Sequence, residues 1–204
     1  MHIPIAQPSL GNEESDAVLT VLASGMIAQG PVTAAFEEEF AAYCGIPHAV
    51  AVSNGTTALH AALLAAGVRP GDEVVVPAFT FFATASSVSM CGARPVFADV
   101  DAATATIDPA DVLAKVTPKT KAVIGVHLYG QPCDAGAIRE ICDDKGLVFI
   151  EDAAQAHGAT YQGKKTGSLG DLACFSFYAT KNLATGEGGM VTTASSEYDA
   201  RLRR

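Results

Sequence analysis

LVFIEDAAQAH, residues 147 to 157, decides how the rest of the chain is read. Leu147 to Glu151 is a strand-length run with hydrophobic residues on both faces. A strand wetted on one face alternates apolar and polar residues; this one does not. Valines 74 to 76 and the run AVIGV at 122 to 126 lack alternation in the same way. Such runs mark strands covered on both sides, as in a mostly parallel sheet wrapped by helices.

Outward from these runs, strands and helices take turns. Strands are expected at His48 to Val52, Glu73 to Pro77, Arg94 to Val100, Lys121 to Leu128, Leu147 to Glu151, Leu172 to Phe177 and Gly189 to Thr193. Between them, helices are expected from Ala58 to Ala66, from about Phe82 to Cys91, from Asp108-Pro109 to about Val116, and from Asp134 to Lys145. The last two strands are joined by a loop too short for a helical crossover, so one strand should run antiparallel. Two helices precede the sheet. The first, over 12 to 24, has Asn12 as cap and Val18, Leu19 and Leu22 on one face. The second starts at Pro31, carries Val32, Phe36, Phe40 and Tyr43 as its stripe, and stops at Gly45. The expectation is one α/β domain over 1–204: helices over about 1–45, then a three-layer, seven-stranded sheet over about 46–204, mostly parallel with one antiparallel strand.

Only 17% of the 204 residues are charged, against about 25% in an average globular chain. Part of the surface should therefore be covered by another subunit. Net charge is −9, and Arg201, Arg203 and Arg204 form the one basic cluster, which argues against nucleic acid as a partner. The start, MHIPIAQPSLGNEESD, lacks a signal pattern, and no apolar run is long enough to span a membrane. Five scattered cysteines without a C-x-x-C pair read as buried free thiols. The expected location is the cytoplasm. The five histidines show no ligand spacing and no metal site is expected; Asp99-x-Asp101, as a hint of metal-dependent transfer, lacks basic neighbours for a diphosphate.

In an open α/β sheet, ligands bind beyond the carboxyl ends of the strands. Four segments put polar residues there. Ser53-Asn54-Gly55-Thr56-Thr57 opens a helix, and its free N–H groups and hydroxyls suit an anion such as a phosphate; plain capping is the alternative. Phe79 to Phe82 follows a strand and could stack on a flat ring or simply fill core. Glu151 and Asp152 alternate in direction, so one should face the ligand side, where a buried acid needs a cation or several donors; capping the next turn is the alternative. Finally, FSFYATKNLATGEGGMV, 175 to 191, carries Lys181 just past a buried strand. A partly desolvated amine there could attack a carbonyl, or the side chain could snorkel to water.

An anion site, an aromatic face, a carboxylate and an amine together match the needs of pyridoxal 5′-phosphate. SNGTTALHAAL, PAFTFFATA, EDAAQAHGA and FSFYATKNLATGEGG resemble the DegT/DnrJ/EryC1/StrS sugar aminotransferases, of fold type I, from about Pro4 to the end of the chain. The resemblance implies that Lys181 forms the Schiff base and acts as acid and base, and that Asp152 holds the pyridinium nitrogen. It also implies that Gln155 hydrogen-bonds near the ring oxygen and that Phe81 stacks on the ring. Gly55 would let the backbone approach the ligand, with Thr56, Thr57 and Ser176 holding the phosphate; His157 lies nearby with no firm role. The implied reaction moves an amine from an amino acid, L-glutamate, to a keto group on a nucleotide-linked sugar, with a homodimer as the full-length assembly. Family members are longer than this chain, so a fragment without the C-terminal domain is expected. Two alternatives remain at this point: a non-catalytic, regulatory module of the same fold, and a sugar dehydratase relative, against which Lys181 argues because those enzymes bear histidine.

Overall fold

Valine-rich and aromatic runs become the strands, and each sends alternate residues into opposite layers. The computed structural model describes residues 6–204; Met1 to Ile5, with His2 and Pro4, lie outside the described residues. The elements are α1 (Asn12–Ser24), α2 (Pro31–Cys44), β1 (His48–Val52), α3 (Gly55–Ala65), β2 (Glu73–Pro77), α4 (Ala83–Met90), β3 (Arg94–Ala98), α5 (Pro109–Lys115), β4 (Thr120–Val126), α6 (Ala135–Lys145), β5 (Val148–Asp152), β6 (Thr160–Tyr161), β7 (Lys164–Lys165), β8 (Leu172–Ser176), β9 (Gly189–Thr193) and α7 (Ser196–Leu202). Seven strands form one sheet in the order β1-β9-β8-β5-β4-β2-β3, and β6 pairs with β7 apart from it. β9 runs antiparallel to both its neighbours; every other pairing in the sheet is parallel.

The pleat sorts the core into layers. Val74 and Val76 of β2, Ile124 of β4 and Ile150 of β5 pack with Leu59 and Leu63 of α3 and Val88 of α4. Val75, Val123 and Phe149 face the other way, against Val112 of α5 and Ile138 and Cys142 of α6. On that second side α2 brings Phe40 onto Phe175 of β8, with ring centroids 4.9 Å apart. Each fully buried Val or Ile contributes about 1.5–3 kcal/mol, which is why central strands with both faces dry hold the sheet. All five cysteines are buried and unpaired. Among the described residues, no helix is long and apolar enough to cross a membrane.

β1 is an edge strand, and side chains occupy its outer polar groups. Glu37 Oε1 accepts the Ala51 N–H at 2.8 Å. Arg203 Nη2 donates to the Ala49 carbonyl at 3.0 Å, while its Nη1 donates to Glu37 Oε2 at 3.0 Å. The arginine end of the chain is thus part of the fold, held by carboxylates at Glu37, Asp199 and Glu197.

Several boundaries differ from the sequence reading. The cap of α1 is Gly11, whose N–H is accepted by the Glu14 carboxylate at 2.7 Å, so Asn12 is the first helical residue. Val18, Leu19 and Leu22 are exposed, and α1 buries no residue in this chain. α3 begins at Gly55, because the Asn54 side chain accepts the Thr57 N–H at 2.8 Å and starts the helix there. Thr192 and Thr193 stay buried by donating to backbone carbonyls of Gly167 and Asp171. The β6–β7 hairpin and α7 are additions the apolar periodicity did not reveal; α7 is short, mostly polar, and capped by Ser195.

Candidate active site

Four parallel strands, β1, β4, β5 and β8, end beside one pocket of about 490 Å³. That volume lies in the range of small-molecule sites. Of the residues singled out from sequence, Gly55, Thr56, Phe81, Asp152, Gln155, Ser176 and Lys181 line it. Thr57 does not: its hydroxyl donates to Asn54 Oδ1 at 3.0 Å, completing the helix cap behind the wall.

At one end the pocket is built for an anion. The N–H groups of Gly55 and Thr56 open α3 and have no partner among the described residues. Ser176 stands so close that a Cβ on Gly55 would lie 2.7 Å from the Ser176 Cβ. No larger residue fits there, and the hydroxyl is brought beside the helix start. Ser176 Oγ accepts a long 3.4 Å contact from the Tyr178 N–H, which leaves its proton to donate. Gly189 is packed in the same way: a Cβ there would meet the Asn54 carbonyl oxygen at 2.5 Å. β9 can run past the helix start only as glycine.

Asp152, the last residue of β5, is buried. Its Oδ2 accepts from Thr84 Oγ1 at 2.8 Å and its Oδ1 accepts from the Ala154 N–H at 3.3 Å. No cation pairs with it among the described residues. Burial pushes its carboxyl above the ordinary range; the hydrogen bonds from Thr84 and Ala154 and the charge of Lys181 oppose that push. Lys181 is half-buried and lines the same pocket, with no ion-pair partner among the described residues, and burial pulls its ammonium below the ordinary range while the Asp152 charge raises it. A buried acid with spare acceptor capacity and an amine biased toward neutrality face one cavity.

Glu151 points the other way, as alternation along β5 requires. It is fully buried and accepts four hydrogen bonds: His127 Nε2 at 3.0 Å, Gly167 N at 2.9 Å, and Leu169 N and Gly170 N at 2.8 Å each. The Cys133 N–H donates to His127 Nδ1 at 3.1 Å, which makes Nε2 the protonated ring nitrogen. Glu151 is therefore the brace that fixes the loop after β7 beneath the site. Glu151→Gln keeps the shape but turns an amide donor toward other donors. The expected loss is about 2–5 kcal/mol of unfolding free energy, measured by urea denaturation.

Gln155 Oε1 accepts the Tyr129 N–H at 2.8 Å. Its Nε2 is then the end left to donate into the pocket. Phe81 is exposed at the mouth, its ring 4.7 Å from that of Phe82. His157 sits outside this pocket in a neighbouring hollow shared with Gln155, Thr180 and Lys181. Its ring packs on Phe175 and Phe177, both nitrogens are buried without a partner, and burial lowers its pKa. Tyr178, Thr180 and His127 also line the main pocket and were missed from sequence. For Thr80 and Thr84 there was a signal: hydroxyls four residues apart at the start of a helix after a strand.

Residues 8–204 match the model of the DegT/DnrJ/EryC1/StrS aminotransferase family. The chain is 51% identical over 203 residues to GDP-perosamine synthase of Caulobacter vibrioides, covering 99% of this chain and 55% of that protein. Among solved structures, DesV of S. venezuelae superimposes with a TM-score of 0.92 at 47% identity, over 94% of this chain and 52% of that one. Spr1654 of Streptococcus pneumoniae, in its PLP form, gives a TM-score of 0.95 at 33% identity, over all of this chain and 57% of that one. The chain thus spans about half the length of the relatives it matches.

Proposed function

Because the chain belongs to the DegT/DnrJ/EryC1/StrS aminotransferase family, we propose that residues 1–204 are the cofactor-binding portion of a PLP-dependent sugar aminotransferase. The pocket fits that cofactor on this chain's own chemistry: an anion cradle at Gly55, Thr56 and Ser176, a buried acid at Asp152 with no cation paired to it among the described residues, and a free amine at Lys181. Placing the acid and the amine on the walls of one cavity is the observation that carries the reading.

Bound there, the cofactor supplies an aldehyde for amines and an electron-withdrawing ring. The residues supply the rest. The N–H groups of Gly55 and Thr56 and the Ser176 hydroxyl hold a phosphate; hydrogen bonds to a charged group contribute about 1.5–3 kcal/mol each, more than the helix dipole alone. Asp152 would accept an N–H from a ring nitrogen and so keep that nitrogen protonated. Gln155 Nε2 would donate to a ring oxygen, and Phe81 would cover one face. Lys181, whose basicity burial lowers, would hold the aldehyde and, once an incoming substrate amine has displaced it, would be the base that moves the proton at the substrate Cα.

The proposed donor is L-glutamate and the acceptor a keto group on a nucleotide-linked sugar, as the name GDP-perosamine synthase supports for a relative. We place the protein in the cytoplasm, where five free thiols stay reduced. The exposed Val18, Leu19 and Leu22 of α1, with Phe79, Phe81 and Phe82, support a homodimer in which this surface is covered.

Titrating the chain with PLP and then with glutamate tests the reading. Visible absorption should appear and then fade as 2-oxoglutarate is released; a protein that takes up no PLP overturns it. Ser176→Ala removes one phosphate donor and is expected to weaken PLP binding about tenfold to a hundredfold, read by equilibrium dialysis.

A further inference from the structure

One hydroxyl crosses from another element to the buried acid. Thr84 in α4 is fully buried, and its Oγ1 donates to Asp152 Oδ2 at 2.8 Å. A threonine hydroxyl has a single proton. The 2.9 Å contact between Thr84 Oγ1 and Thr80 Oγ1 then has one direction, with Thr80 as donor. A helical threonine commonly turns its hydroxyl back to a carbonyl of the preceding turn; Thr84 reaches across to β5 instead. The direction of this relay depends on charge, since an ionised carboxylate only accepts whereas a protonated one can donate.

We propose that Thr84 is a positioning residue: fed by Thr80, it holds Oδ2 of Asp152, stabilises the ionised carboxylate, and leaves Oδ1 as the oxygen for a ring N–H. What the carboxylate is for rests on the function proposed above; the relay itself does not. Thr80 lines the pocket with its proton already committed, so it presents only lone pairs to a ligand. The other groups that bear on Asp152 are His127 at the end of β4, Lys181 in the same pocket and the neutral Cys174 thiol on β8. Substitution of Thr84 changes none of them.

The test follows the Asp152 carboxyl directly, by carbon NMR of the ligand-free chain labelled at aspartate Cγ, with the signal assigned by its loss in Asp152→Asn. Thr84→Val keeps the shape and removes the donor; its midpoint should move up, while Thr84→Ser, which restores a hydroxyl, should stay close to the parent. PLP binding should weaken about tenfold in the valine variant and recover in the serine variant. Thr80→Val, on a half-buried residue, should shift the midpoint in the same direction by less, and it carries the test if the Thr84 valine variant does not fold. An unchanged midpoint in a folded Thr84→Val, or in Thr80→Val should the former fail, overturns the relay. If the midpoint moves but the parent binds no PLP, the relay stands and the proposed function falls. If the parent binds PLP and the midpoint is fixed, the reverse holds.

Discussion

Lys181→Ala is expected to bind PLP without covalent attachment and to form no product. After borohydride reduction, the parent should carry one pyridoxyl phosphate at Lys181 by peptide mass mapping, and the variant none. The effect on fold should be small, within about 0.5 kcal/mol, because Lys181 is half-buried and its Nζ makes no ion pair among the described residues. Its backbone N–H still donates to Tyr178 O at 2.8 Å, and alanine preserves that turn. Modification of a different lysine in the parent would show that the amine has been wrongly assigned. Depressed basicity of Lys181 also predicts that attachment persists at a lower pH than for an exposed lysine.

Asp152→Asn should produce opposite signs in two measurements. Without the carboxylate, the ring nitrogen has no acid to keep it protonated, and removal of the substrate Cα proton should slow by orders of magnitude; each tenfold is about 1.36 kcal/mol of barrier. Stability should rise instead. Burial lifts the Asp152 carboxyl above its ordinary value, so across that window the folded protein keeps a proton the unfolded chain has lost. Stability from this group therefore falls as pH rises through the window, and above it the buried charge is a constant burden. An amide does not titrate. The ligand-free variant should exceed the parent in thermal stability near neutral pH, and the advantage should vanish at pH values below the ordinary carboxylate range. A variant that loses stability at neutral pH would mean that Asp152 is fully compensated in the free chain.

The sheet was legible because its central strands carry runs of consecutive apolar residues without alternation. Runs at 74–76, 122–126 and 147–150 could be assigned without any partner in view. Asp152 and Lys181 were legible for a related reason: a charge directly after a dry strand has few structural explanations. What could not be read was orientation. Thr56 and Thr57 are equivalent as letters, yet the cap formed by Asn54 turns one to the pocket and the other away. Thr84 looks like an ordinary helical threonine until α4 is placed against the end of β5. The stripe on α1 was read as one apolar face, and nothing among the described residues covers it; periodicity reports that a face is apolar and not what it meets.

The antiparallel strand β9 also has a bearing on how the molecule is made. β1 is finished by residue 52, but its only sheet neighbour among the described residues is β9, with His48 opposite Thr193. As the chain leaves the ribosome, β1 must wait until residues 189–193 have been made before it can pair. The helix start at Gly55 meets Ser176, and the turn bearing Lys181 is closed, only in that same late event. The competence to hold a ligand therefore arrives no earlier than β9, and a nascent chain stopped before it should expose β1 to chaperones.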